Sequence, residues 1–149
     1  MVRKILTGAL LGFMTLVVST QDFAQAQVNE KRQDLMKGQS AAAKAIKAAV
    51  EAKDYATVET KAKDLMGSAD RIVSVFPAGS TTGKTKAKPE MWEKSEDFGK
   101  AAKRLSNAAG ELAAAAKAGD DAAATTKMKA VGDACGACHK AFRAEKYGE

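Results

Sequence analysis

The sequence predicts an all-α fold, an antiparallel four-helix bundle, and three observations predict it. Aromatic residues are only 5% of the 149 and prolines number two, whereas alanine runs through the whole chain. That vocabulary favours helices and starves sheets, which draw on β-branched and aromatic side chains. Four segments carry apolar or small residues at alternating steps of three and four, the spacing of one helical face. Two connections between those segments are very short, so the helices they join are antiparallel neighbours. The length suits one domain with a real core, and 46% hydrophobic with 28% charged residues excludes both a disordered chain and a multispan membrane protein.

The first helix is expected from Glu30, with Met36, Gln39, Ala43, Ile46 and Val50 along its inner face. The second carries Val58, Ala62, Leu65, Ala69, Ile72 and Phe76, and the third Phe98, Ala102, Leu105, Ala109, Leu112 and Ala116. The fourth carries Ala124, Met128, Val131, Cys135, Cys138 and Phe142. Asn29, Asp54, Ser95 and Asp120 precede these stripes as expected N-caps, since their side-chain oxygens can accept from the free N–H groups of a first helical turn. The short connections fall at Lys53-Asp54 and Ala118-Gly119. The middle connection is long, bracketed by Pro77 and Pro89 and rich in Gly, Ser, Thr and Lys, as a solvated loop would be. Many seam positions are alanine, so the helices either pack unusually close or hold something between them. Composition alone leaves both open.

The chain opens on an address. Arg3 and Lys4 precede an uncharged, mostly apolar run from Ile5 to Val18, and a short polar stretch leads to Ala24-Gln25-Ala26. This is the layout of a secretory signal peptide over residues 1–26 with an A-x-A cleavage site. The run is short of the ~20 apolar residues a membrane span needs. The expectation is an exported, periplasmic domain over residues 27–149 with no stable membrane insertion after cleavage. Removal of Arg3, Lys4 and Asp22 leaves 22 basic and 17 acidic residues, a net charge of +5. Lysine alternates with acidic residues along most segments, and the densest basic stretch, Lys84 to Lys88, has no aromatics on which bases could stack. Nucleic acid is therefore not an expected partner, and a mildly basic surface would steer acidic proteins.

Both cysteines and the only histidine fall within five residues, Cys135-Gly136-Ala137-Cys138-His139. C-x-x-C-H is the attachment signature of a c-type haem. On a helix, positions i and i+3 face the same way, so both thiols can add across the two vinyl groups of one porphyrin edge. The adjacent imidazole is then placed to bind iron on the proximal face. Three other readings compete. A structural zinc site needs four N or S ligands, and this motif supplies three at most. A disulfide suits an oxidising compartment but gives the histidine no reason to be there. A thioredoxin-like dithiol needs a strand before it and a helix start beneath it, and here the motif lies deep in a helical stripe.

A C-x-x-C-H near the end of the last helix of a four-helix bundle resembles the class II cytochromes c, the cytochrome c′ and cytochrome c-556 family. The resemblance covers the whole mature chain: Arg32-Gln33-Asp34-Leu35-Met36 in the first helix, Lys88-Pro89-Glu90-Met91-Trp92 with Phe98 at the entry to the third, and Cys135 to Arg143 at the end. It implies a bundle around one covalently attached haem c with its iron, held by Cys135 and Cys138, with His139 as proximal ligand. It also implies that Arg32 and Gln33 contact a haem propionate and that Arg143 lies beside the proximal face. Trp92 reads as packing under the long loop.

The family divides at the position of Met36. In the c-556 branch a first-helix methionine is the sixth iron ligand of an electron carrier; in the c′ branch that residue blocks the distal face of a five-coordinate haem that captures nitric oxide or carbon monoxide. Met36-Lys37-Gly38 followed by small residues resembles the former, and the bulky distal aromatics common in the latter are missing. A seam methionine is also ordinary core filler. The expectation is an electron-transfer protein with redox proteins as partners and no enzymatic activity, since no substrate pocket with paired acid and base groups is legible. Self-association of two copies through the first two helices stays open.

Overall fold

The computed structural model describes residues 20–146. In chain order it contains α1 (Thr20–Glu51), α2 (Tyr55–Ala69), a 3-10 turn at Val73–Val75, a single helical turn α3 (Glu90–Glu93), α4 (Ser95–Lys117) and α5 (Asp121–Phe142). Four long helices thus form the expected bundle, and the only β pairing among the described residues is an isolated bridge between Ala87 and Arg143. The apolar run Ile5 to Val18 lies outside the described residues.

The stripes point inward as their spacing requires. All six predicted α4 positions are buried, from Phe98 to Ala116, and on the second stripe Val58, Ala62, Leu65, Ala69 and Ile72 are buried. Ile72 and Phe76 lie beyond the end of α2, so that stripe continues through the turn that follows the helix. On α5, Ala124, Val131 and Phe142 are buried, while Met128, Cys135 and Cys138 flank the core as partly buried residues. On α1, Gln39, Ile46 and Val50 are buried, and Met36 packs half-buried against the same core.

The alanine question has two answers in two halves of the bundle. The α2/α4 and α4/α5 contacts are extensive, and so is α1/α2, but α1 meets α5 at only a few positions. Between α2 and α4 the approach is close: a Cβ added at Gly110 would meet Met66 Sδ at 3.2 Å. Small residues there let the backbones come together at interior packing density. Across from them, direct contact between α1 and α5 is sparser. Leu112, fully buried in the tight half, should lose ~2–5 kcal/mol of folding stability as Leu112→Ala. Urea unfolding measures this, with exposed Asn107→Ala expected to stay within ~0.5 kcal/mol of wild type.

Two of the expected N-caps are caps. Asp54 accepts from Thr57 N at 3.1 Å and Asp120 from Ala123 N at 2.9 Å, each satisfying a first-turn donor. Two are not. Asn29 lies inside α1, because the polar segment before it contains good helix formers and no breaker, so the helix is already running at Thr20. The proposed cleavage point after Ala26 consequently falls within α1, and cleavage there leaves residues 27–51 of it. Ser95 is the first residue of α4 rather than its cap, since the chain enters directly from α3 through Lys94.

At the end of the bundle where α1 passes into α2, Lys53 takes a left-handed conformation (φ 56°) to make the tight reversal. Its ammonium meets Asp121 Oδ2 at 2.8 Å, and the Tyr55 hydroxyl donates to Asp121 Oδ1 at 2.9 Å, tying the start of α2 to the start of α5. The hydrogen bonds from Lys53 and Tyr55 hold the Asp121 carboxyl below its usual pKa, and Thr57 does the same for Asp54. A carboxyl depressed in the folded state contributes stability that is complete above the unfolded pKa of ~4 and lost as pH falls through the lower folded value. Urea midpoints should therefore hold steady through mildly acidic pH and then decline, and Asp121→Asn should make that decline shallower.

Candidate cofactor site

The last turns of α5 carry the cysteine motif, and the helix positions it without special devices. Cys135 and Cys138 stand one turn apart, both free and both half-buried against the core. Burial raises both thiol pKa values; a charge on Cys135 adds to the rise at Cys138. A dithiol oxidoreductase needs the opposite, a thiolate stabilised at a helix N-terminus or beside a cation. The thioredoxin-like reading therefore has neither its fold nor its chemistry here. Among the described residues no three His, Cys, Asp or Glu side chains converge to hold a metal ion, so the zinc reading lacks its ligand set too.

His139 is exposed beside Cys138, and its carbonyl accepts from Arg143 N at 3.0 Å where α5 ends. Desolvation, and secondarily the Arg143 charge, hold the imidazole pKa below its ordinary value. It is thus neutral at pH 7, the state in which an imidazole nitrogen binds a metal. Met36 borders the same core as the two cysteines, from the helix that meets α5 only sparsely. A thioether on α1 and two thiols on α5 thus pack against one core, with the imidazole beside the thiols on α5.

Arg32, one turn before Met36, is buried at 3% exposure. Its Nε donates to Val75 O at 2.7 Å and Nη1 to Asn29 Oδ1 at 2.9 Å, while Nη2 bonds Ser80 Oγ. Its guanidinium lies 4.5 Å from the Phe76 ring centroid and 5.4 Å from that of Trp92. Trp92 Nε1 in turn donates to Pro77 O at 3.0 Å, and Asn29 Nδ2 to Thr82 O at 3.2 Å. Arg32 thus clamps the long connection onto α1. Among the described residues every partner of this guanidinium is neutral, and burial brings its pKa down to about 10. A buried cation without a counter-ion is costly, and an anionic group at this position would relieve it.

The remaining expected residues separate. Gln33 is half-buried and Arg143 exposed. Sequence reasoning missed the roles of Asn29, Phe76 and Ser80. Asn29 was legible only as a cap, Phe76 only as the tail of a stripe, and Ser80 carried no signal. It also missed that Gln39, one turn beyond Met36, buries an Nε2 with no hydrogen-bond partner among the described residues.

Residues 27–143 match the sequence profile described as cytochrome c′. The chain belongs to the cytochrome c′ family. A cytochrome c′ of Rhodospirillum rubrum is 34% identical over 97% of this chain and 100% of its own length. A cytochrome c-556 of Agrobacterium tumefaciens is 35% identical over 78% of this chain and 97% of its own. The crystal structure of cytochrome c′ from Thermochromatium tepidum superposes with a TM-score of 0.74 at 32% identity, covering 81% of this chain and 97% of that one. The class II resemblance read from Arg32–Met36 and Cys135–Arg143 is thereby established at the level of the family, which holds haem c with its iron. Half-buried free thiols at helical spacing, a neutral imidazole beside them and a buried cation with only neutral partners among the described residues fit that group.

Proposed function

We propose that the chain is an exported, periplasmic electron carrier in which Cys135 and Cys138 would hold one haem c through thioethers and His139 and Met36 would ligate its iron. The observation that carries this reading is the pairing of half-buried thiols on α5 with a half-buried thioether on α1, both bordering one core where those helices scarcely touch. When bound, the haem supplies a one-electron iron couple. The residues of the chain do the rest. Cys135 and Cys138 fix position, and neutral His139 donates a nitrogen lone pair. Met36 offers a weak neutral sulfur that favours the reduced iron and raises the potential. Arg32, with Gln33 beside it, answers propionate charge, and Arg143 lies next to His139. The reading of a carrier rather than an enzyme is supported by relatives that are themselves cytochromes. The match to the family profile begins at residue 27, which supports a mature N-terminus at Gln27 and export of the domain. Among the described residues, no helix is long and apolar enough to cross a membrane.

A second reading has its own support. The relatives named cytochrome c′ and cytochrome c-556 are equally similar, at 34% and 35% identity. Met36 also packs against the core as a distal plug would. In that case the protein captures nitric oxide or carbon monoxide. Exposure of the reduced holoprotein to carbon monoxide separates the two. A Met36-ligated iron leaves the optical spectrum nearly unchanged at gas concentrations that convert an open five-coordinate haem completely; full conversion overturns the carrier reading.

A further inference from the structure

The lysine run Lys84 to Lys88, which lacked a role in the sequence, is brought against the end of α5. Lys88 N donates to Phe142 O at 3.0 Å and Ala144 N to Lys86 O at 2.8 Å, on either side of the Ala87–Arg143 bridge. The two lysine side chains are tied down as well: Lys86 Nζ donates to Glu145 O at 2.7 Å and Lys88 Nζ to Lys140 O at 3.2 Å. This pairing gathers Lys84, Lys86, Lys88, Lys140, Arg143 and Lys146 beside His139, with Glu145 in the same two segments and Glu90 two residues past Lys88. The described residues hold 22 basic and 17 acidic side chains, a net +5, and these two segments together with Glu90 account for +4 of it. The rest of the described surface is balanced to one charge. The acidic opening of α4 lies beyond Trp92, and there Lys100 pairs with Glu96 and Asp97.

We propose that this patch, residues 84–88 with 140–146, is the docking surface for an acidic face of a partner protein that exchanges electrons with the haem. The proposal rests on the haem reading above for the purpose of docking, and on the charge distribution alone for its place. A concentrated field steers a protein of opposite sign, and docking there sets the partner beside the iron-ligand end of α5. Phe142 is buried in the core, and the other apolar residues of the patch, Ala87, Ala141 and Ala144, are too small to insert into a lipid headgroup layer, so a protein fits better than a membrane.

The test uses the holoprotein at low ionic strength, with poly-L-glutamate as the acidic probe. Amide shifts should map to residues 84–88 and 140–146. Affinity should fall at least ~10-fold in Lys84→Glu/Lys140→Glu/Lys146→Glu, and should vanish in salt that shrinks the ~10 Å screening length. The milder Lys84→Gln/Lys140→Gln/Lys146→Gln should show a smaller loss if the charge-reversed protein folds poorly. The matched control Lys44→Glu/Lys47→Glu/Lys117→Glu should change affinity less than ~2-fold. Shifts spread over lysines of α1 and α4, or equal losses in the control, overturn the proposal. So does patch-dependent binding to phosphatidylserine vesicles with none to poly-L-glutamate. The mass of the same preparation reports whether haem is attached, so a failed haem assignment is read separately from a failed docking surface.

Discussion

Met36→Ala should convert a low-spin iron to a high-spin one while leaving the bundle and both thioethers in place. Met36 is half-buried rather than central to the core, so its truncation should cost no more than the ~2 kcal/mol lower end for buried methionine. The loss of a sulfur ligand matters more. Axial-ligand identity sets haem potentials over ~0.8 V, and removing a ligand that favours reduced iron should lower the potential by on the order of a tenth of a volt. The open distal face should also take up nitric oxide. A methionine bond that holds the closed form by ~2 kcal/mol leaves about one molecule in thirty competent, so removing it should tighten apparent gas affinity ~30-fold. Optical spectra, voltammetry and nitric oxide titration of the variant against wild type measure the three effects together. An unchanged spectrum would reduce Met36 to packing.

The second large effect belongs to the attachment cysteines. In wild type, one haem should survive acid–organic extraction with the polypeptide. Cys135→Ser or Cys138→Ser should each leave a single thioether, and the double variant none, so that extraction strips it completely. The double variant should also lose stability, since the sparse α1/α5 contact leaves that side of the bundle dependent on what lies between the helices. Mass spectrometry of the denatured chains reads the outcome. A wild-type mass without haem, together with two alkylatable thiols, would return the motif to simple thiol chemistry.

Much of this was legible in the sequence, for reasons that differ from element to element. The α4 stripe from Phe98 to Ala116 is buried at every predicted position because nothing competes with its helical spacing. Asp54 and Asp120 could be read as caps because each stands at a tight connection where a helix must start afresh. Asn29 misled for a tertiary reason: its amide serves Thr82 and Arg32, partners no local pattern reveals. Arg32 was legible as a site residue from the resemblance, but its hold on Val75 and Ser80, more than forty residues away, was not. The lysine run could be seen yet not interpreted, because its meaning depends on pairing with residues 142–145. Cys135, Cys138 and His139 needed no fold at all, since three reactive groups at one helical spacing already specify the chemistry.

On the proposed reading, His139 and Met36 together ligate the iron of one covalently held haem. Electron paramagnetic resonance of the purified ferric wild-type protein at neutral pH tests it most directly, because the spin state of ferric iron reports the number and strength of its axial ligands. The expected result is a low-spin signal, with a sulfur-to-iron charge-transfer band in the optical spectrum that disappears in Met36→Ala. A high-spin signal in wild type, unaltered by Met36→Ala, would contradict it.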